Sequence, residues 1–260
     1  MFFFEMWRLK IVRGFLQRVV FLIAVLVLFY SGYQLAKIER DYKEDQKGYE
    51  ELRKEVISKE RGGLSTVDKE GVVVDFAMLK AMNSDIVGWI RIPGTRVNYP
   101  ILRGVDNEKY LHRDFYGNPS KAGAIFTDCR NEAPFDVPLT VVYGHNMKDG
   151  SMFHDLLRFR KQSFVNQYDE IFIYRLDGSV EVYQVFSAHI TEANSDCYVL
   201  RGSVEEYVEE QRRASEVVFS NDNQKGEKLI MLSTCYGDER MVIKAMRLTH
   251  ASLGAGKRKA

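Results

Sequence analysis

The sequence predicts a mostly β domain, a closed barrel or a sandwich of eight short strands, preceded by helices of which the first crosses a membrane. Three patterns lead there. Beyond Ile86, short runs alternate apolar and polar residues and are separated by Gly, Pro, Asn and Asp, the pattern of strands. Between and before them lie stretches with helical spacing. The N-terminus holds an apolar run flanked on one side by basic residues.

That run comes first in chain order. Arg8, Lys10, Arg13 and Arg18 precede residues 19–36, which are broken only by Ser31, Gly32 and Gln34. The length suffices to cross a bilayer. No A-x-A pattern follows, so an uncleaved anchor is expected rather than a cleaved signal. Basic residues stay cytoplasmic, which puts residues 1–18 inside and everything after Ala36 outside.

Residues 37–63 turn strongly charged, while Ile38, Tyr42, Tyr49, Leu52 and Val56 recur at helical spacing. This predicts an amphipathic helix ended by Gly62 and Gly63, its apolar stripe against the following domain. Residues 66–74 read as a connection. Residues 75–83 read as a short helix capped by Asp75.

The strands then follow within a single domain, residues 64–249. The candidates are VGWIRI, RVNYPIL, GAIFTD, LTVVYGH, EIFIYRL, SVEVYQVFSAHI, EKLIMLSTC and MVIKAMRL. So many short strands point to a barrel or a sandwich. Two helical patterns interrupt them, residues 152–164 and residues 204–215, the second with Ser203 and Glu206 at capping-box spacing. The tail, residues 250–260, reads as disordered.

Charge excludes one function class. Lys+Arg number 37 against Asp+Glu 36, so no global field gathers nucleic acid. The three cysteines, Cys129, Cys197 and Cys235, are an odd number in an exported domain, so one thiol at least stays free within the chain. None shows metal-ligand spacing, and neither metal nor cofactor is expected. Cys129 and Cys197 read as small buried hydrophobes.

Cys235 is different. It ends the run from Met231 to Cys235 just before the turn YGDER, and a thiol where a strand opens into a loop is accessible and can be activated. Strand alternation puts Ser233 on its face. A hairpin here brings Arg240 beside the sulfur, with Met241, Ile243 and Ala245 on the opposite, apolar face; Arg247 is the alternative arginine. His145 closes the strand TVVYGH at another loop boundary, with Tyr143 on its side, and cysteine catalysis needs such a partner.

LSTC followed by Arg240, with YGHN upstream, resembles the signature of the sortase family. Further segments resemble its class B: VGWIRIPGTRVNYPIL, DNEKYLHRDF, GAIFTDCRNE, SMFHDLLRF, YQVFSAH and the helix at residues 204–215. Two departures stand out, Met231 where the family often has Thr, and a shorter turn between Cys235 and Arg240. The resemblance implies an eight-stranded barrel at the outer face of a Gram-positive cell. It also implies a cysteine transpeptidase that cuts a sorting signal of secreted proteins after Thr, through a thioacyl enzyme, and passes the acyl group to a cell-wall peptide amine. Residue by residue, it implies His145 as acid, Cys235 as nucleophile and Arg240 at the oxyanion or substrate backbone. Asn107, Tyr143, Tyr198 and Ser233 correspond to groove positions. Two rival classes are an L,D-transpeptidase, whose His lies much closer to its Cys, and a non-catalytic wall-binding module.

Overall fold

A computed structural model describes residues 2–59, 71–220 and 226–248. It divides into two compact units, residues 1–44 and residues 45–260. Helix α1 (Phe2–Val56) begins in the first and ends in the second. In the first unit, Phe21, Leu22, Leu26, Leu28 and Phe29 are exposed, and α1 holds an 18-residue window of mean hydropathy 2.1. By length and composition that helix is able to cross a membrane.

In the second unit the last turns of α1 lie on the domain as the stripe predicts: Tyr49, Leu52 and Val56 are buried. Burial of each such side chain contributes roughly 1.5–3 kcal/mol. The helix end departs from expectation. It comes at Val56, ahead of the glycine pair, because Ile57–Lys59 forms strand β1 and pairs antiparallel with β2 (Val72–Val74). Val72–Val74 is therefore a strand rather than part of a connection. Gly62, Gly63 and the tail lie outside the described residues. Helix α2 (Phe76–Met82) follows as expected, with the Asp75 side chain accepting from the Met78 backbone N–H.

All the candidate strands form. They are β3 (Ile86–Arg91), β4 (Asn98–Leu102), β5 (Ile125–Thr127), β6 (Leu139–Tyr143), β7 (Glu170–Tyr174), β8 (Val180–Thr191), β9 (Leu229–Tyr236) and β10 (Glu239–Arg247). They close a barrel in the order β10-β8-β7-β3-β4-β5-β6-β9, which settles barrel against sandwich. Closure leaves the barrel sheet without edges. Two pairs, β4·β5 and β6·β9, are parallel, and the rest are antiparallel. The interior holds Ile90, Ile173, Leu232, Met241, Ile243 and Ala245, all fully buried.

Helix α4 (Val204–Ala214) carries the reciprocal capping box of Ser203 and Glu206. Its Tyr207 and Val208 cover Met231, Val242 and Met246, the face of β9 and β10 that turns away from the interior. The expected helix at residues 152–164 is a 3-10 segment (His154–Arg160) followed by α3 (Gln162–Val165). The reason is local. Met152 has φ 55 and bridges to Asn146, so a right-handed helix does not start there.

Candidate active site

Strand β9 runs on past the end of β6, its pairing with β6 stopping at Ser233. Ser233 is buried, and two residues further along the same face Cys235 is exposed. Gly237 and Asp238 form the turn, and β10 returns with Arg240 directly opposite Cys235. Side chains so paired stand about 4.5–5.5 Å apart at Cβ. The Arg240 guanidinium donates to the Glu239 carbonyl at 2.9 Å. Arg247 lies at the other end of β10, bonded to Glu181 at 2.9 Å.

Strand β6 runs parallel to β9, and its last residue, Tyr143, stands beside Ser233. The chain then turns at Gly144 and carries His145 into the groove. The Leu111 carbonyl accepts from His145 Nε2 at 2.8 Å, so the hydrogen sits on Nε2 and the other nitrogen, Nδ1, is left for chemistry. Gly123 makes room for this arrangement. Its φ is 59, and a Cβ there would come within 2.8 Å of the Leu111 carbonyl and 3.2 Å of the imidazole.

A groove of about 240 Å³ is lined by His145, Cys235 and Arg240, and also by Asn107, Tyr143, Tyr198 and Ser233. The structure thus brings every expected site residue to one depression. Tyr198 and Ser233 share a hydroxyl hydrogen bond of 2.7 Å. The Tyr143 and Tyr198 rings stack with centroids 6.4 Å apart. Asn107 spends its carbonyl oxygen on the Cys129 backbone N–H at 2.8 Å.

Behind Tyr143 sits buried Asp128, which accepts from its hydroxyl at 3.0 Å and pairs with Arg130 at 2.6 Å. Burial alone would raise the Asp128 carboxyl, yet hydrogen bonds from Arg130 and Tyr143 hold it down at about 2. Burial and the Asp128 charge push Tyr143 up, and burial pushes Tyr198 up. Both phenols therefore stay neutral and offer hydrogen bonds rather than charge. Sequence reading missed Asp128 and Leu111, because it gives no sign that these loops return to Tyr143 and His145.

All three cysteines are free, with Cys197 buried in the core under α4, Cys129 half-buried and Cys235 exposed. Only Cys235 combines a reachable thiol with a histidine and an arginine on one groove. That combination on a closed β-barrel defines a thiol-dependent acyl-transfer enzyme in its architecture.

Residues 90–248 match the sortase domain model. Sortase B of Listeria monocytogenes serovar 1/2a is 31% identical over 251 residues, covering 92% of this chain and 99% of the relative. The crystal structure of sortase B from Bacillus anthracis in complex with AAEK1 superposes with a TM-score of 0.67 at 29% identity, covering 81% of this chain and 99% of that one. A Staphylococcus aureus sortase B–substrate complex gives 0.61 at 30% identity, covering 67% and 85%. The chain belongs to the sortase family, class B, a family of cysteine transpeptidases.

Proposed function

We propose that this enzyme cleaves a sorting signal near the carboxyl end of secreted proteins after a Thr and joins them to an amine of a cell-wall peptide. The Cys235 thiol passes its proton to His145 Nδ1 as Sγ attacks the Thr carbonyl carbon, and a C–S bond forms. The C–N bond beyond it breaks, and His145 gives the leaving amine its proton, from Nδ1. The acceptor amine then attacks the thioester. A new C–N bond forms, sulfur leaves, and the amine's proton returns to His145.

Through the tetrahedral stages the oxygen carries negative charge. The Arg240 guanidinium is always charged and presents several donors, so it meets that charge without moving a proton. Asn107, Tyr143, Tyr198 and Ser233 contact the peptide. The observation that carries this reading is the convergence of His145, Cys235 and Arg240, from two strands and one strand-end loop, on a single groove.

Mass spectrometry of the full chain mixed with a library of sorting-signal peptides tests it. Wild type is expected to gain an acyl mass on the peptide holding Cys235, ending in Thr. Cys235→Ala should gain none and lose all turnover while melting at the same temperature. A folded, active Cys235→Ala enzyme would end the cysteine mechanism.

Residues 19–36 anchor the enzyme in the membrane with its barrel outside, in a Gram-positive cell. The support is α1, apolar and unburied over that stretch, with the basic residues before it. Deleting residues 1–36 is expected to move the activity to the soluble fraction at unchanged turnover. Aggregation of the shortened chain would assign the segment to the fold instead.

A further inference from the structure

Asn146 was visible in the sequence as the last letter of YGHN, and the chemistry above gives it no task. Its surroundings do. In the parallel pair of β6 and β9, backbone rungs recur every second residue. Gly144 N–H donates to the Ser233 carbonyl at 3.2 Å, so the next rung would run from the N–H of residue 146 to the Cys235 carbonyl. That rung cannot form from the backbone, because β6 has ended and the chain is turning to deliver His145. The Cys235 carbonyl points the same way as that of Ser233, towards the space the strand has vacated.

The side chain fills the gap. Asn146 Nδ2 donates to the Cys235 carbonyl at 2.9 Å. At the other end of the amide, Oδ1 accepts from His154 Nδ1 at 2.8 Å. An amide flipped end for end would set its oxygen against the Cys235 carbonyl and its NH₂ against a nitrogen that bears hydrogen. The Cys235 carbonyl can only accept, which turns the NH₂ end towards it, and His154, with its hydrogen on Nδ1, then holds the other end of the amide. His154 in turn opens the 3-10 segment, whose preceding residue, Phe153, donates its backbone N–H to the His145 carbonyl at 2.9 Å.

We propose that Asn146, held by His154, is a positioning residue that replaces the missing ladder rung and fixes the Cys235 peptide plane relative to His145. The proposal rests on Cys235 being the nucleophile. Its logic is geometric. A nucleophile at a strand end must be released from its neighbour to be reachable, and release removes the bond that would aim it. One side-chain amide restores the aim without closing the groove. Misplacement by about 1 Å is enough to cost on the order of a hundredfold in rate.

The test uses the full chain in detergent, with Asn146→Ala, Asn146→Asp, His154→Ala and His154→Gln. Single-turnover acylation by a sorting-signal peptide is followed against peptide concentration, and alkylation of Cys235 by iodoacetamide is followed without peptide. For Asn146→Ala, acylation at saturating peptide should fall roughly 10- to 100-fold, with the half-saturating concentration within about twofold of wild type. Asn146→Asp keeps the shape and the His154 contact but has no donor for the carbonyl, so it should fall as far even if the alanine variant fails to fold. His154→Gln retains an N–H for Oδ1 and should recover most of what His154→Ala loses. Wild-type rates in Asn146→Asp, a loss confined to the half-saturating concentration, or equal losses in both His154 variants would overturn the proposal. A wild type that alkylates at Cys235 yet is never acylated counts against the transpeptidase reading instead, and the alkylation rates of the Asn146 variants still report on positioning.

Discussion

Strand β10 carries an arginine near each end, and the two live differently. Arg240 faces the groove opposite Cys235, bonded to the carbonyl of its own neighbour. Arg247 is locked on Glu181, which also accepts from Tyr183 at 2.8 Å and meets Arg175 at 3.5 Å. A guanidinium whose donors are consumed by a carboxylate holds the fold together. One whose donors still face a cavity is available to a ligand. Between them Lys244 is fully buried, its ammonium donating to the Gln211 side-chain Oε1 at 2.7 Å under α4. One strand thus passes from chemistry to architecture within a few residues.

The sharpest way to break this comparison is to exchange both arginines for lysine. Lysine keeps the charge and loses the planar fork. Arg240→Lys is expected to slow single-turnover acylation roughly a hundredfold or more, the cost of one oxyanion donor, at unchanged melting temperature. Arg247→Lys should leave acylation alone and cost about 1 kcal/mol or less, because Glu181 retains its other partners. Reversed outcomes would move the catalytic role to Arg247, and normal rates in both would remove fork geometry from the mechanism.

A smaller effect sharpens the architectural half. His189, across from Val242, accepts a contact from Lys244 at 3.4 Å and lies beside the Ser187 hydroxyl at 3.2 Å. Burial, then the Lys244 charge, lowers its pKa from 6.5 to about 4, with Glu216 opposing. The unfolded chain therefore binds more protons than the folded one between these values. Stability from this group is full above about pH 6.5 and declines as pH falls towards 4, by up to about 1.4 kcal/mol per pH unit. Urea midpoints measured across that range should flatten in His189→Gln. An unchanged slope would show that other groups carry the acid sensitivity.

How legible all this was depended on how local its causes are. The strands announced themselves because burial of one face writes a two-residue period, as in Met241, Ile243 and Ala245. The α4 capping box could be read because Ser203 and Glu206 satisfy each other within one turn. The end of α1 could not be read, since Ile57–Lys59 becomes a strand only by meeting Val72–Val74, a partner no local pattern names. The residues lining the groove were legible through motif, and Cys235 and Arg240 also through strand parity. Asp128 and the bond from His154 were not, because they depend on where loops return.

Tyr236 and Glu239 pair across the hairpin, so Gly237 and Asp238 are its whole turn, and Gly237 meets the geometry with φ 61. Such a turn acts as a counting device. An insertion of one residue taken up in the register of β10 would swing Arg240 into the barrel and set Glu239, a carboxylate, opposite Cys235. An insertion of two would restore the side but slide the guanidinium some 6–7 Å along the strand. Loops transplanted into this hairpin from longer-turned relatives must therefore bulge outward and leave the pairing untouched. Length at this corner is permitted to vary only where the ladder does not feel it.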